Sequence, residues 1–252
     1  MYVLWHGTAS IEVVCPSGRI LFDPFVPLKG SNVEVALEDY DGFTDIFVTH
    51  GHFDHISSIP DIVKRNPSAK IHCTRTPFET LARKGVPKDN LAMIFHGQIL
   101  NANGFMISVL HGRHALLPRA SFSRTAYMLK SPHRGNLPRI IWEHTLCREN
   151  NETVFYHIEA EGKSLSLMGS LNLREDEAYP QNADLLVLPY NGWKDNFPPS
   201  VRIIERLNPK RIVLTHYDDT FPPVTMPIDL SPLIRKYKGR VTAMELGKAE
   251  AV

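Results

Sequence analysis

The chain has 252 residues, 43% of them hydrophobic and 22% charged, and its 28 Lys and Arg against 27 Asp and Glu leave a net charge of +1. This composition is that of a globular protein, and its balanced charge excludes a whole-chain attraction to nucleic acid or anionic lipid. No apolar run reaches the roughly 18 residues of a membrane span, so no membrane partner is expected. The three cysteines show no CxxC spacing, which argues against a disulfide framework and favours a cytoplasmic location.

The predicted elements begin with a sheet, because short runs of strand-forming residues end repeatedly in Gly, Pro or polar residues. Strands are predicted at 2–5, 10–14, 19–23, 45–49 and 70–73, and helices at 56–65 and 77–84. The middle of the chain then offers strand after strand, which predicts hairpins with hardly a helix. These strands are predicted at 105–110, 126–130, 139–142, 153–160 and 163–168.

The last third of the chain returns to alternating strands and helices. Strands are predicted at 184–188, 211–215 and 240–245, and helices at 199–207 and 230–237. No linker, low-complexity tract or internal repeat divides the chain, so we expect a single domain over residues 1–252. Many strands with helices at both ends predict a layered α/β sandwich and argue against a βα barrel.

The clearest chemical signal is the run DIFVTHGHFDHI at residues 45–56, where a buried strand ends in three histidines and an aspartate. Imidazoles and carboxylates at this density suit zinc or a similar cation. His50 and His52 can project to one side of an extended backbone, and Asp54 and His55 follow where a helix begins. The alternative is a solvent-facing loop in which Asp54 or His55 caps the helix. The density of ligands favours a metal site with room for two cations.

The segment THGHFDH at residues 49–55 resembles the HxHxDH signature of the metallo-β-lactamase-fold hydrolases. The opening WHGTASIE and the later ILFDP are similar to the first hairpin and Asp-Pro of the branch that contains the ascorbate-phosphate lactonases. The runs DLLVLP and RIVLTH, which ends at His216, resemble the final strands and last histidine ligand of that branch. The resemblance implies a four-layer αββα sandwich with metals at one edge, between two sheets.

The resemblance also implies a set of metal ligands. It assigns His50, His52 and a downstream histidine to one metal, and Asp54, His55 and His216 to a second one. The downstream ligand has two candidates in the run LHGRH at residues 110–114. His114 is favoured, because the family places this ligand in the loop beyond the strand. His111 continues the alternation of the strand and is the alternative.

One position departs from the family pattern. In the family a strand ends in Gly-Asp, whose carboxylate bridges the two metals, whereas the corresponding strand here ends in Gly169 and Ser170. A serine hydroxyl is a poor ligand for a divalent ion, and losing the carboxylate removes charge that keeps two cations together. We therefore expect one tightly bound divalent metal, zinc or alternatively manganese, and a second that is weak or absent. A carboxylate of the following loop could reach back instead, from Glu175, Asp176 or Glu177.

A bound cation of this kind predicts hydrolysis, because it acidifies a bound water and polarises the group under attack. The resemblance gives Asp54 the role of holding or deprotonating that water. Six cations and no acidic residue between 111 and 140 predict a basic rim for a small anionic substrate, with Arg113 and Arg119 as contacts. A solvated hairpin explains these cations equally well. Trp193 could stack on the ligand or pack under its own loop.

The sequence thus predicts a metal-dependent hydrolase that cleaves a small anionic ester, lactone or phosphodiester. One alternative is a nuclease of the same fold, which the lack of a nucleic-acid module and of excess basic charge disfavours. The other is a non-catalytic sensor that binds a metal or an anion, and Ser170 makes it credible. A homo-oligomer is compatible with the sequence, and nucleic acid is not an expected partner.

Overall fold

The structure is a computed structural model that describes residues 1–115, 122–191, 196–225 and 228–252. Two seven-stranded sheets lie at the centre of this described part, and helices cover the outer face of each sheet. Within these ranges, no helix combines the length and the apolar character needed to cross a bilayer.

The first sheet comes from the N-terminal part of the chain and is completed by the last strand. Its strands are β1 (Tyr2–Trp5), β2 (Ile11–Cys15), β3 (Gly18–Phe22), β4 (Asp45–Phe47), β5 (Lys70–Cys73), β6 (Leu91–Met93) and β14 (Glu250–Ala251). They lie in the order β14-β1-β2-β3-β4-β5-β6. Strand β4 pairs in parallel with both neighbours, which buries Ile46 and Phe47 completely.

The second sheet brings four strand ends to one edge. Its strands are β7 (Ile99–Ala102), β8 (Phe105–His111), β9 (Val154–Ala160), β10 (Lys163–Met168), β11 (Leu185–Pro189), β12 (Arg211–Thr215) and β13 (Val241–Ala243). They lie in the order β13-β12-β11-β10-β9-β8-β7. Strands β8 and β10 both run antiparallel to β9, while β10, β11 and β12 are parallel. The carboxyl ends of β8, β10, β11 and β12 therefore meet at one edge of the sheet.

The helices pack on the outer faces of the sheets through residues spaced three or four apart. They are α1 (Phe53–Ile56), α2 (Ile59–Arg65), α3 (Arg75–Arg83), α4 (Phe122–Lys130), α5 (Leu137–Leu146), α6 (Phe197–Leu207) and α7 (Ser231–Lys236). Helix α2 buries Ile59 and Ile62 against the first sheet, and α5 joins the same cluster through Ile140. Helix α6 buries Ile203 and Leu207 against the second sheet.

The core between the two sheets is formed by their inner faces. It includes Val13 and Phe22 of the first sheet and Val109 and Tyr156 of the second. The buried Tyr156 hydroxyl donates a hydrogen bond of 2.7 Å to the Val48 carbonyl oxygen, which connects the sheets just beyond β4. The predicted αββα sandwich is confirmed.

The prediction of strands at 126–130 and 139–142 is wrong, because these residues lie in α4 and α5. An apolar run of four or five residues fits a buried strand and a helical turn equally well. Over the full length of α5, apolar residues recur at the helical spacing of 137, 140 and 141, and a proline occupies the first turn. The predicted hairpin at 153–168 is confirmed as β9 and β10.

Candidate metal centre

The predicted metal ligands follow the carboxyl ends of strands in both sheets. His50 and His52 follow β4, His114 lies beyond β8, and His216 directly follows β12. Strand ends that share an edge bring together residues that are distant in sequence. The structure thereby places these histidines around one cavity of about 230 Å³, with Asp54 in its wall.

Two groups of potential ligands lie side by side in this cavity. The histidine trio consists of His50, His52 and His114, and the aspartate trio consists of Asp54, His55 and His216. Within each trio, one ligand atom per residue lies within 4.8 Å of the others. The ring centroids of His50 and His55 are 3.9 Å apart, so the two trios adjoin. This arrangement fits one or two metal ions.

The rings of the histidine trio are neutral and directed toward a common point. His50 Nε2 lies 3.1 Å from His52 Nδ1, and the His52 and His114 ring centroids are 4.5 Å apart. The Nδ1–H of His114 donates to the Ala115 carbonyl oxygen at 2.7 Å, which leaves Nε2 with the lone pair. Burial lowers the pKa of His52 to about 3 and that of His50 well below its usual value. Neutral imidazoles are the form that binds a metal.

The aspartate trio contains a buried carboxylate between two imidazoles. Asp54 Oδ2 lies 3.5 Å from His55 Nε2 and 3.3 Å from His216 Nε2. Burial acts to raise the pKa of Asp54, but His55 and His216 outweigh it and hold that pKa well below its usual range. Asp54 is therefore an anion at the wall of the cavity, which suits a cation.

Asp23 and Thr49 orient the rings of both trios. His55 Nδ1 lies 2.8 Å from Asp23 Oδ2, and the Thr49 hydroxyl donates to the same oxygen at 2.6 Å. Because that hydroxyl proton is committed to Asp23, the Nδ1–H of His50 donates to Thr49 Oγ1 at 3.1 Å. Burial acts to lower the pKa of His55, but the carboxylates of Asp23 and Asp54 raise it overall. Such supporting contacts fix the tautomer of metal-binding histidines.

The backbone around the cavity is held in unusual conformations. Asp23 and His216 have φ angles of 45° and 60°, in the left-handed region that residues other than glycine seldom adopt. Such strain is common at functional sites. At Gly169, an added Cβ atom would lie 2.4 Å from the Thr49 Cβ atom, so only glycine allows the end of β10 to approach the segment after β4.

Ser170, at the position of the family's bridging aspartate, lines the cavity. Its hydroxyl accepts a hydrogen bond of 3.0 Å from the Ala115 backbone N–H. Asp176 does not reach the cavity, since its exposed carboxylate pairs with Arg174 at 2.7 Å. Among the described residues that line the cavity, Asp54 is the only acidic one.

The structure brings all six predicted ligands together, whereas the substrate contacts stay predictions. His111 lies outside both trios and stacks on His96 with ring centroids 3.7 Å apart. Arg113 is exposed and lines a neighbouring depression that also includes His114. Arg119 and Trp193 lie outside the described residues.

Two contributors to the site were not assigned a role from the sequence. Asp23 follows β3, a parallel neighbour of β4, so a carboxylate at an adjacent strand end was a usable signal. His144 lies on α5, and its ring centroid is 6.0 Å from that of His52. Its segment was predicted to form hairpins, so no sequence pattern placed His144 beside the metal ligands.

The sequence of this chain is similar to one family model and to several curated relatives. Residues 18–217 match the family model described as "Beta-lactamase superfamily domain". A "UPF0173 metal-dependent hydrolase" of Pyrobaculum arsenaticum is 24% identical over 259 residues, covering 98% of this chain and 95% of the relative. A protein of the same description from Caldivirga maquilingensis is 24% identical over 226 residues, covering 88% and 84%.

Solved structures resemble the chain over its whole length. Igni18, a metallo hydrolase from Ignicoccus hospitalis, has a TM-score of 0.65 at 18% identity, covering 99% of this chain and 97% of its own. An isothiocyanate hydrolase from Delia radicum gut bacteria has a TM-score of 0.66 at 14% identity, covering 100% and 99%. Identities this low show the fold alone. Because the family model spans most of the sequence, the chain belongs to the beta-lactamase superfamily, as the HxHxDH motif predicted.

Proposed function

We propose that this metal-dependent hydrolase cleaves a small anionic ester, lactone or phosphodiester, using zinc or manganese held by the histidine and aspartate trios. The observation that carries the proposal is the ionised, buried Asp54 beside imidazoles whose free nitrogens converge on one cavity. Relatives named metal-dependent hydrolases, aligned over most of the chain, support the reaction class.

The donor set favours zinc over manganese. Five of the six candidate ligands are imidazoles, and Asp54 is the only carboxylate among them. Imidazole nitrogen suits zinc, whereas manganese prefers carboxylate, carbonyl and water oxygens. Manganese stays the alternative, because the aspartate trio includes an anionic oxygen.

A metal in this cavity would acidify a bound water and polarise the bond to be cleaved. The chain's own residues then have separate tasks. Asp54, ionised and without a proton to donate, can hold the attacking water by accepting its hydrogen and can take up its proton. Asp23 and Thr49 keep the rings of His55 and His50 in position during this step.

Exposed cations on α4, on α5 and between these helices support an anionic substrate. Lys130, Arg134 and Arg139 are exposed, and none has an ion-pair partner in the described part of the chain. Cations free of intramolecular pairs create a positive local field that attracts anions to this part of the surface.

The test is a hydrolysis assay on protein stripped of metal and reloaded with zinc or manganese. The panel contains p-nitrophenyl esters, lactones, bis(p-nitrophenyl) phosphate and single-stranded RNA. We expect metal-dependent cleavage of at least one small substrate, a decline with ionic strength for charged ones, and no cleavage of RNA.

Asp54→Asn should lower kcat/KM at least 100-fold, because the amide cannot take up the proton. Asp61→Asn, which alters an exposed carboxylate on α2, is the control and should leave the rate unchanged. Cleavage without metal, or an Asp54→Asn rate equal to that of the control, would contradict the proposal. Tight metal binding with no turnover across the panel would support the sensor instead, a reading that Ser170 favours.

A further inference from the structure

An apolar groove of about 460 Å³ lies between α4 and α5. Its walls include Met128, Leu129, Leu137, Ile140, Ile141 and Val224. None of the described residues that line it is an acidic residue, a lysine or an arginine. The volume lies within the roughly 300–1,000 Å³ of sites that bind small molecules, and such sites are mostly apolar.

The groove and the metal cavity share one lining residue, His144. This side chain lines both spaces, and its ring centroid lies 6.0 Å from that of His52 and 5.0 Å from that of Phe53. Its Nδ1–H donates to the Ile140 carbonyl oxygen at 3.1 Å, which holds the ring in place. The shared residue places the groove beside the metal centre, within reach of a ligand bound there.

The two walls of the groove present large apolar side chains to solvent. Leu129 on α4 is 61% exposed and Ile141 on α5 is 63% exposed. Exposed apolar residues that cluster along a cavity mark a binding surface, whereas scattered ones do not. A ligand that occupies both spaces must have a polar end in the metal cavity and an apolar end in the groove.

We propose that the groove binds the hydrocarbon chain of the substrate, so that this hydrolase acts on acyl or alkyl derivatives. The identity of the reacting group at the metal centre rests on the proposed function, but binding of the chain does not require turnover. Each methylene group that moves from water into the groove should tighten binding about fourfold.

The experiment measures the Kd of butanoate, hexanoate and octanoate for the metal-loaded protein by isothermal titration calorimetry. Each pair of methylene groups should lower the Kd at least tenfold. Ile141→Glu places a charge on the groove wall and should remove most of this dependence on chain length. Trp142→Glu is the matched control, since Trp142 is equally exposed at 63% on the same helix and does not line the groove.

Equal Kd values for the three carboxylates in the native protein would overturn the proposal. Equal losses of the chain-length dependence in Ile141→Glu and Trp142→Glu would also overturn it. A native dimer that dissociates in Ile141→Glu would do so as well. Leu129→Glu repeats the test from the α4 wall, and both changed side chains are mostly exposed, which favours folded variants. Chain-length-dependent binding without metal-dependent cleavage of any ester, lactone or phosphodiester upholds the groove and rejects the proposed reaction. Hydrolysis whose rate does not depend on chain length upholds the proposed reaction and rejects the groove as the binding site of the chain.

Discussion

The metal centre and the α4–α5 segment both depart from the usual pattern of side-chain burial, but in opposite directions. In the metal centre, ionisable residues such as Asp54 and His55 are almost fully buried. In the α4–α5 segment, Leu129 and Ile141, which line the groove, each expose more than 60% of their surface. A buried ionisable group costs free energy unless it is paired or binds an ion, and a cluster of exposed apolar groups marks a surface that a ligand covers. The two regions therefore point to ligands of opposite character, a cation in one and a hydrocarbon in the other.

The metal centre is also supported by hydrogen bonds within the chain. Around the metal centre, Asp23 and Thr49 provide hydrogen-bond partners for the buried rings of His50 and His55. His216 Nδ1 is buried and has no hydrogen-bond partner among the described residues. The rings of the metal centre are thus held in position by the chain's own side chains, without a metal.

The largest expected effect is the removal of a ligand from the histidine trio. His52→Ala or His114→Ala should weaken zinc binding more than 100-fold, because loss of a direct ligand exceeds the 10–100-fold effect of a supporting residue. His111→Ala, which alters the ring stacked on His96, is the control and should keep its zinc. Metal content after equilibrium dialysis measures all three variants. Full occupancy in His52→Ala and His114→Ala would rule out this ligand set, and zinc loss in His111→Ala would exchange the third ligand.

A smaller loss of zinc affinity is expected when a residue that orients a metal ligand is changed. Asp23→Asn removes the carboxylate that orients His55 and should weaken zinc binding about 10- to 100-fold. Asp45→Asn is a matched control, because Asp45 Oδ1 lies 2.8 Å from His72 Nε2, the same separation as in the Asp23 and His55 pair, and neither residue lines the cavity. Zinc titration of both variants separates support of the site from general stability. Equal affinities in the two variants would show that Asp23 acts only on the fold.

The metal centre was largely predictable from the sequence, because its signal is local. The run from Asp45 to His55 joins a buried strand to four candidate ligands, three histidines and one aspartate, and strand ends in parallel sheets meet at one edge. His114 and His216 were assigned from the family resemblance, which places ligands after the corresponding strands. Predicting the role of Asp23 requires knowing which strand lies beside β4. That strand pairing is a tertiary property, which the local sequence does not show.

The α4–α5 segment was not predictable to the same degree. The run from Arg139 to Trp142 contains two isoleucines and a tryptophan, which favour a strand when judged over four residues. Packing of Ile140 against the first sheet's outer cluster selects the helix instead. The groove exists only because α4 and α5 lie side by side, and neither helix alone shows it in the sequence.

The most direct test of the account is the zinc stoichiometry of the native protein after mild chelation. Asp54 is the only acidic residue in the described lining of the cavity, so repulsion between two cations is poorly offset. We expect about one zinc per chain in the native protein and nearly two in Ser170→Asp, which adds a carboxylate beside the trios. Native protein that binds no zinc would contradict a metal centre built from these residues. Two zinc ions retained by the native protein would contradict the role of charge in setting their number.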